Sequence, residues 1–374
     1  MKAAATILVF CVAALLALGM VTLYSSSTVQ AGAHYLLKQL VWCGIGVISC
    51  VVAASINYEL LRKLALPLFI FTVVLLALVL IPGIGKLAGG ARRWFDFHGV
   101  RFQPSELAKL ALVIVLAWHG ERHLRHIGTF KHGILMPAIY VGLIVGLVFR
   151  EPDRGTSVLL SAVAGGMLVV AGVKLRAIVP VALAAGAALA VSLWNDPMRA
   201  KRIFSWMYLE EHKMDVGWQA YQAMLALGAG GLTGLGLGNG RQKLGFIPEH
   251  HTDFIFSILG EELGLVATLF VVVAFVALVI CGSVIACKAR DAFGMLLATG
   301  LTFLIGLQAF INIGVVTSAL PNKGLPLPFI SYGGSSLLVM LTGVGLLLSV
   351  ARKPQLEEGI IEEPEEETEE AQLS

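Results

Sequence analysis

Charge is what this chain has least of. Only 14% of its 374 residues are Asp, Glu, Lys or Arg, against about 25% in soluble globular chains, and 57% are apolar. That composition cannot clothe one large core in a water-facing surface, which excludes an ordinary soluble domain. Cysteine is scarce as well. Cys11, Cys43, Cys50, Cys281 and Cys287 fall inside or at the ends of apolar runs, without the paired spacing of disulfide frameworks or metal sites, and read as small core residues. There is no fixed-period repeat, no Walker loop, no nucleophile elbow, and no glycine fingerprint that follows a strand. The expectation therefore holds no nucleotide, no organic cofactor and no nucleic-acid partner.

What the chain has is long apolar runs. Ten candidate spans lie at about 5–23, 40–56, 66–81, 105–118, 134–149, 156–173, 177–194, 263–287, 294–317 and 335–351. A spanning helix takes about 20 mostly apolar residues, and continuous rather than alternating runs favour helices over a barrel. The stretch after Lys2, Ala3 to Leu23, is too long and too far from Ala31-Gly32-Ala33 for a cleaved leader, so it counts as the first span. The expected fold is an all-α integral membrane protein with ten transmembrane helices. One membrane domain covers 1–351, with a large loop, 195–262, between spans 7 and 8. Residues 357–370 hold nine glutamates and no base, so the formal +3 hides 27 bases against 15 acids elsewhere. The 352–374 tail is expected to be disordered.

An even span count puts both termini on one side. Lys and Arg in the short connections divide twelve to eight in favour of that side, a modest bias. The connections differ more in texture. Those at 57–65, 119–133, 174–176 and 288–293 are short and ordinary, whereas the others are dense in Pro, Gly, aromatic and basic residues, as an anion-binding face requires. In the 195–262 segment the glycines at 228, 230, 231, 234, 236 and 238 forbid a continuous helix, so short helices joined by loops are expected.

Several groups could carry chemistry. Asp253, in Pro248-Glu249-His250-His251-Thr252-Asp253-Phe254, stands where a dry bundle meets water. There it serves either as a general base or as a plain helix cap. Glu106 and Lys109 share a helical face in the fourth span, as a site at membrane depth or an interfacial pair. Arg93 and Arg101 lie just upstream, and guanidinium forks match phosphate oxygens. Asp153 sits in the charged hairpin Arg150-Glu151-Pro152-Asp153-Arg154-Gly155. Gln308 and Asn312 read as interhelical hydrogen-bond glue. Leu320 to Phe329, Pro-punctuated and holding Lys323, reads as a re-entrant segment. Taken alone, these residues leave enzyme and transporter both open.

Together the strings QPSELAKLAL, REPDRG, ALGAGGLTGLGLGNGRQKLGFIPEHHTDFIFSILGEELGL and LPNKGLPLPFISYGGSS resemble the SEDS family (shape, elongation, division, sporulation) of bacterial peptidoglycan polymerases. The likeness runs from the first span to about Ala351. RQKLGFIPE and the lysine of LPNKGLPLPF are closer to division-type than to elongation-type members. The resemblance implies a multi-pass inner-membrane glycosyltransferase that polymerises lipid II, a disaccharide-pentapeptide on undecaprenyl pyrophosphate, with cytoplasmic termini and an extracytoplasmic active face. It implies that Asp253 is the catalytic carboxylate, deprotonating the acceptor sugar's 4-hydroxyl so that it displaces the pyrophosphate lipid with inversion. It gives Arg93, Arg101, Lys109 and Lys323 cavity or pyrophosphate contacts, matches Glu106 and Asp153 to the family's acidic positions, and sets Glu249 and His251 beside Asp253. Mg²⁺ or Mn²⁺ is implied as a helper ion, its ligands unknown. The implied partners are a class B penicillin-binding protein with transpeptidase activity, other division or elongation proteins, and membrane lipids. His250 and Arg154 depart from the usual family residues. A lipid II flippase and a scaffold that only recruits the transpeptidase stand as rivals.

Overall fold

The structure is a computed structural model that describes residues 1–27, 34–88, 90–97, 100–247 and 251–370, the last of these by backbone alone beyond Arg352. Each of the ten apolar runs forms a helix: α1 (Lys2–Ser27), α2 (His34–Ser55), α3 (Glu59–Val79), α4 (Pro104–Arg122), α5 (Met136–Arg150), α6 (Arg154–Val170), α7 (Leu175–Trp194), α10 (Ile255–Cys287), α11 (Ala292–Val316) and α12 (Gly334–Glu370). Between α7 and α10 lie two short helices, α8 (Pro197–Met207) and α9 (Trp218–Gly230).

Eight of these helices, α5 being taken together with the π-helical turn Lys131–Leu135 that leads into it, are long and apolar enough to cross a membrane, which makes this a multi-pass membrane protein. The other two runs are α4, which carries Glu106 and Lys109, and α6, which has 17 residues. Local chemistry sets several ends. Pro104 opens α4, where its missing N–H costs nothing, and Asp153 and Asp291 cap α6 and α11 through Thr156 N and Gly294 N. The core lies along α4, α10, α11 and α12; α7 has no buried residue and is apolar all round.

Two features correct the sequence reading. The connection between α3 and α4 folds as a three-stranded antiparallel sheet of β1 (Lys86–Ala88), β2 (Ala91–Phe97) and β3 (Val100–Phe102), so the fold is not purely helical. Aromatic residues in Arg92-Arg93-Trp94-Phe95-Asp96-Phe97 suit a pleated ribbon, Asp96 lies opposite Arg101, and Lys86 pairs with Asp96. The second correction is α10, which begins at Ile255, inside the segment expected to be a loop. It is broken at Gly264 (φ 75°), where a Cβ would strike Gly234 N and Leu232 O, so only glycine lets the chain through.

Candidate active site

The segment from Ser318 to Gly333 is irregular yet buried at Leu325, Leu327, Phe329 and Ile330, as a re-entrant segment must be. α11 holds it. Asn312 Nδ2 donates to Leu325 O at 2.7 Å and to Asp253 O at 2.8 Å, while Gln308 Nε2 donates to Pro326 O at 2.8 Å. Both were expected as interhelical glue: Gln308 does join α11 to α4, its Oε1 accepting from Lys109, and both amides also bond irregular backbone. Ser331 completes the clasp by donating to Thr252 O at 2.6 Å and accepting from Leu327 N at 2.7 Å.

These bonds fix the Asp253 backbone, and the half-buried carboxylate turns toward the re-entrant segment. A Cβ added at Gly324 would lie 2.7 Å from Asp253 Oδ2, so Lys323 is the immediate chain neighbour of the carboxylate's contact. Burial pushes the Lys323 ammonium below its ordinary value. His251 stacks on Tyr35 at 4.8 Å, and Tyr332 closes the trio edge-on to Tyr35 at 5.0 Å. Arg101 is mostly exposed and close enough to Tyr332 to oppose the upward shift that burial gives its phenol.

Lys109 is fully buried, donating to Glu106 Oε1 at 2.8 Å and to Gln308 Oε1 at 2.9 Å. The Glu106–Lys109 pair thus braces α11, the helix that holds the re-entrant segment through Gln308 and Asn312. Arg93 is likewise occupied, with Nε on Glu151 O at 2.6 Å and Nη2 on Pro152 O at 2.9 Å, tying the sheet to the α5–α6 turn. Asp153 is a helix cap, both oxygens accepting from Thr156, and the turn it closes touches the re-entrant segment where Gly155 faces Leu325. Glu249 and His250 lie outside the described residues. The other predicted positions all attach to one end of the bundle.

Sequence reasoning missed a second polar knot behind this end. Lys243 Nζ, 2% exposed, donates to Glu262 Oε1 at 2.7 Å and to Ser25 Oγ at 3.0 Å, and Ser25 donates to Glu262 at 2.8 Å. Glu261 accepts from Arg241 N and Gln242 N. The glycine-rich stretch wraps the first half of α10 through Leu235 N to Glu261 O and Gly236 N to Glu262 O, both 3.0 Å. The available signal was Glu261-Glu262 inside Ile258-Leu259-Gly260…Leu263, since carboxylates in an apolar run need partners.

A Gly324→Ala methyl meets only the movable end of Asp253, so the fold survives while the carboxylate is displaced. Turnover is expected to fall about 100-fold with thermal stability unchanged; unaltered turnover would contradict the placement. Glu151 is fully buried, neither carboxylate oxygen has a hydrogen-bond partner, and burial with Asp153's charge pushes it up to about 8 against the pull of Arg93. The folded chain then keeps a proton that the unfolded chain releases near its ordinary 4.5, so stability falls as pH rises from about 4.5 to about 8. Melting curves of Glu151→Gln across that window should be flatter than wild type; equal slopes would refute the assignment.

Fold and site together define a polytopic helical membrane protein, one end of whose bundle is built around a half-buried aspartate and a clasped re-entrant segment. The chain belongs to the FtsW/RodA/SpoVE family of cell cycle proteins, whose family model matches residues 5–356. It is 40% identical over 351 residues to the probable peptidoglycan glycosyltransferase FtsW of Trichlorobacter lovleyi, with 92% of each chain covered. To the stage V sporulation protein E of Bacillus subtilis it is 37% identical over 345 residues, covering 90% of this chain and 94% of the other. Its fold is similar to that of the rod shape determining protein RodA of Thermus thermophilus (TM-score 0.70, 30% identity, 92% and 95% covered). It is also similar to a chain from a study of a peptidoglycan synthase complex and its coordination of polymerization and crosslinking (TM-score 0.78, 29% identity, 92% and 97% covered).

Proposed function

We propose that this chain is a peptidoglycan glycosyltransferase of the division type that polymerises lipid II into glycan strands and releases undecaprenyl pyrophosphate. The observation that carries the reading is the Asp253 carboxylate, held against Gly324 beside Lys323 by backbone bonds from Asn312 and Ser331. A fixed carboxylate at the edge of a dry bundle is suited to take the acceptor's 4-hydroxyl proton. That oxygen bonds the donor's anomeric carbon as the bond to the pyrophosphate oxygen breaks, inverting the centre. Lys323 and Arg101 are the cations placed to balance charge on the departing pyrophosphate. The division-type assignment is supported by relatives named FtsW at 40% identity over nine-tenths of the chain.

The full reading counts α4 and α6 as spans, giving ten, with cytoplasmic termini and the Asp253 end facing outward. The tail beyond Arg352 is then cytoplasmic. A class B penicillin-binding protein is the proposed partner, in keeping with the similar chain from a synthase complex. Asp253 offers one carboxylate, and no trio of potential ligands meets there among the described residues. That donor set fits Mg²⁺ or Mn²⁺ completed by substrate phosphates and water. Such an ion would neutralise the pyrophosphate.

The test is purified protein in liposomes with lipid II and the partner transpeptidase, scoring strand synthesis and lipid II translocation in the same vesicles, with and without a chelator. Strands that fall on chelation and return with Mn²⁺ support both parts. Translocation without strands favours the flippase, and neither activity with a bound partner favours the scaffold.

A further inference from the structure

α4 leaves the candidate site at Glu106 and runs 19 residues, about 28 Å, to the opposite end of the bundle. His119 and His123 lie there four residues apart on one face, and a π-helical turn, Lys131–Leu135, brings His132 against them. The His123 and His132 rings stack at 4.3 Å, and His119 and His123 are 4.5 Å apart. One ligand nitrogen from each of the three lies within 4.8 Å of the others, the one such grouping of His, Cys, Asp or Glu among the described residues.

The hydrogen bonds fix which nitrogens are free. His119 Nε2 sits 2.8 Å from His132 O; a carbonyl only accepts, so Nε2 carries the proton and Nδ1 presents its lone pair. His119 is 1% exposed, and that Nδ1 has no hydrogen-bond partner. His123 Nδ1 faces His119 O at 3.2 Å, which leaves the lone pair on Nε2, and His132 Nδ1 is also buried without a hydrogen-bond partner. Metal-bound imidazoles are oriented in this way, one ring nitrogen donating to a backbone carbonyl while the other ligates. Without an ion, each orphaned nitrogen costs about 1–3 kcal/mol.

We propose that His119, His123 and His132 form a transition-metal site, of the zinc type, that ties the end of α4 to the start of α5. Three imidazoles and no carboxylate suit Zn²⁺ and its neighbours rather than Mg²⁺ or Ca²⁺, and leave a fourth position for water. Of the charges nearby, Glu121 pairs with Arg62 at 3.0 Å and Arg122 lies over Trp118. The next imidazole, His126, is 6.1 Å from His132 between ring centroids and is the reserve ligand.

Full-length protein carrying a non-histidine tag and stripped with chelator tests this by Zn²⁺ titration against a chromogenic competitor. One equivalent should bind and raise the melting temperature, and Co²⁺ should give a visible d–d band. His123→Ala, at a half-buried position that does not threaten the fold, and His132→Ala should each weaken Zn²⁺ binding by at least about tenfold and abolish the stabilisation. Asp253→Asn should bind Zn²⁺ like wild type. Absence of a stoichiometric site, or equal binding by wild type and His123→Ala, would overturn the proposal.

Discussion

Asp253→Asn should lower strand synthesis by about 10²- to 10⁴-fold, the range a positioned general base supplies, while the protein inserts, melts and binds lipid II as wild type does. The side chain is half-buried, and the bonds that organise its loop reach its backbone carbonyl from Asn312 and its neighbour's from Ser331, none of which the substitution removes. The amide keeps the shape and loses the basic oxygen. Asp253→Glu, which keeps the base and shifts it by one methylene, should retain more activity than the amide. Normal strand synthesis by Asp253→Asn would mean that the proton leaves by another route.

Lys243→Met should cost about 3–5 kcal/mol, the largest stability effect expected in the molecule. Removing one partner of a buried pair strands the other charge in a low dielectric. Glu262 is 1% exposed and would keep only Ser25 as a donor among its side-chain partners. The knot joins α1, the glycine-rich wrap and the first half of α10, which leads out of Asp253, so its loss should lower the melting temperature and strand synthesis together. Lys243→Met/Glu262→Gln, with both charges gone, should recover much of the loss. A double variant less stable than Lys243→Met would contradict the pairing.

The apolar runs and the Asp253 neighbourhood were legible in the sequence because each rests on local signals. Continuous apolar stretches write helices directly, and Pro321, Pro326 and Pro328 announce irregular backbone. What was not legible depends on partners distant in the chain. Lys243 gives no sign that it reaches Ser25, and the acid pair at 261–262 made the eighth span look shorter than α10 is. Arg93 and Lys109 looked like ligands for phosphate, yet their donors meet Glu151, Pro152, Glu106 and Gln308, which no spacing rule reveals. The 119–133 connection looked ordinary because His132 joins His119 only through a π-helical turn. The sheet was missed because β1 and β3 have only three residues each and the ribbon sits between membrane runs.

The most direct test is strand synthesis from purified lipid II by wild type and Asp253→Asn, prepared side by side with the partner transpeptidase bound and lipid II occupancy matched. Glycan strands are expected from wild type and almost none from the variant. Equal strand synthesis by the two proteins would contradict the general-base role of Asp253.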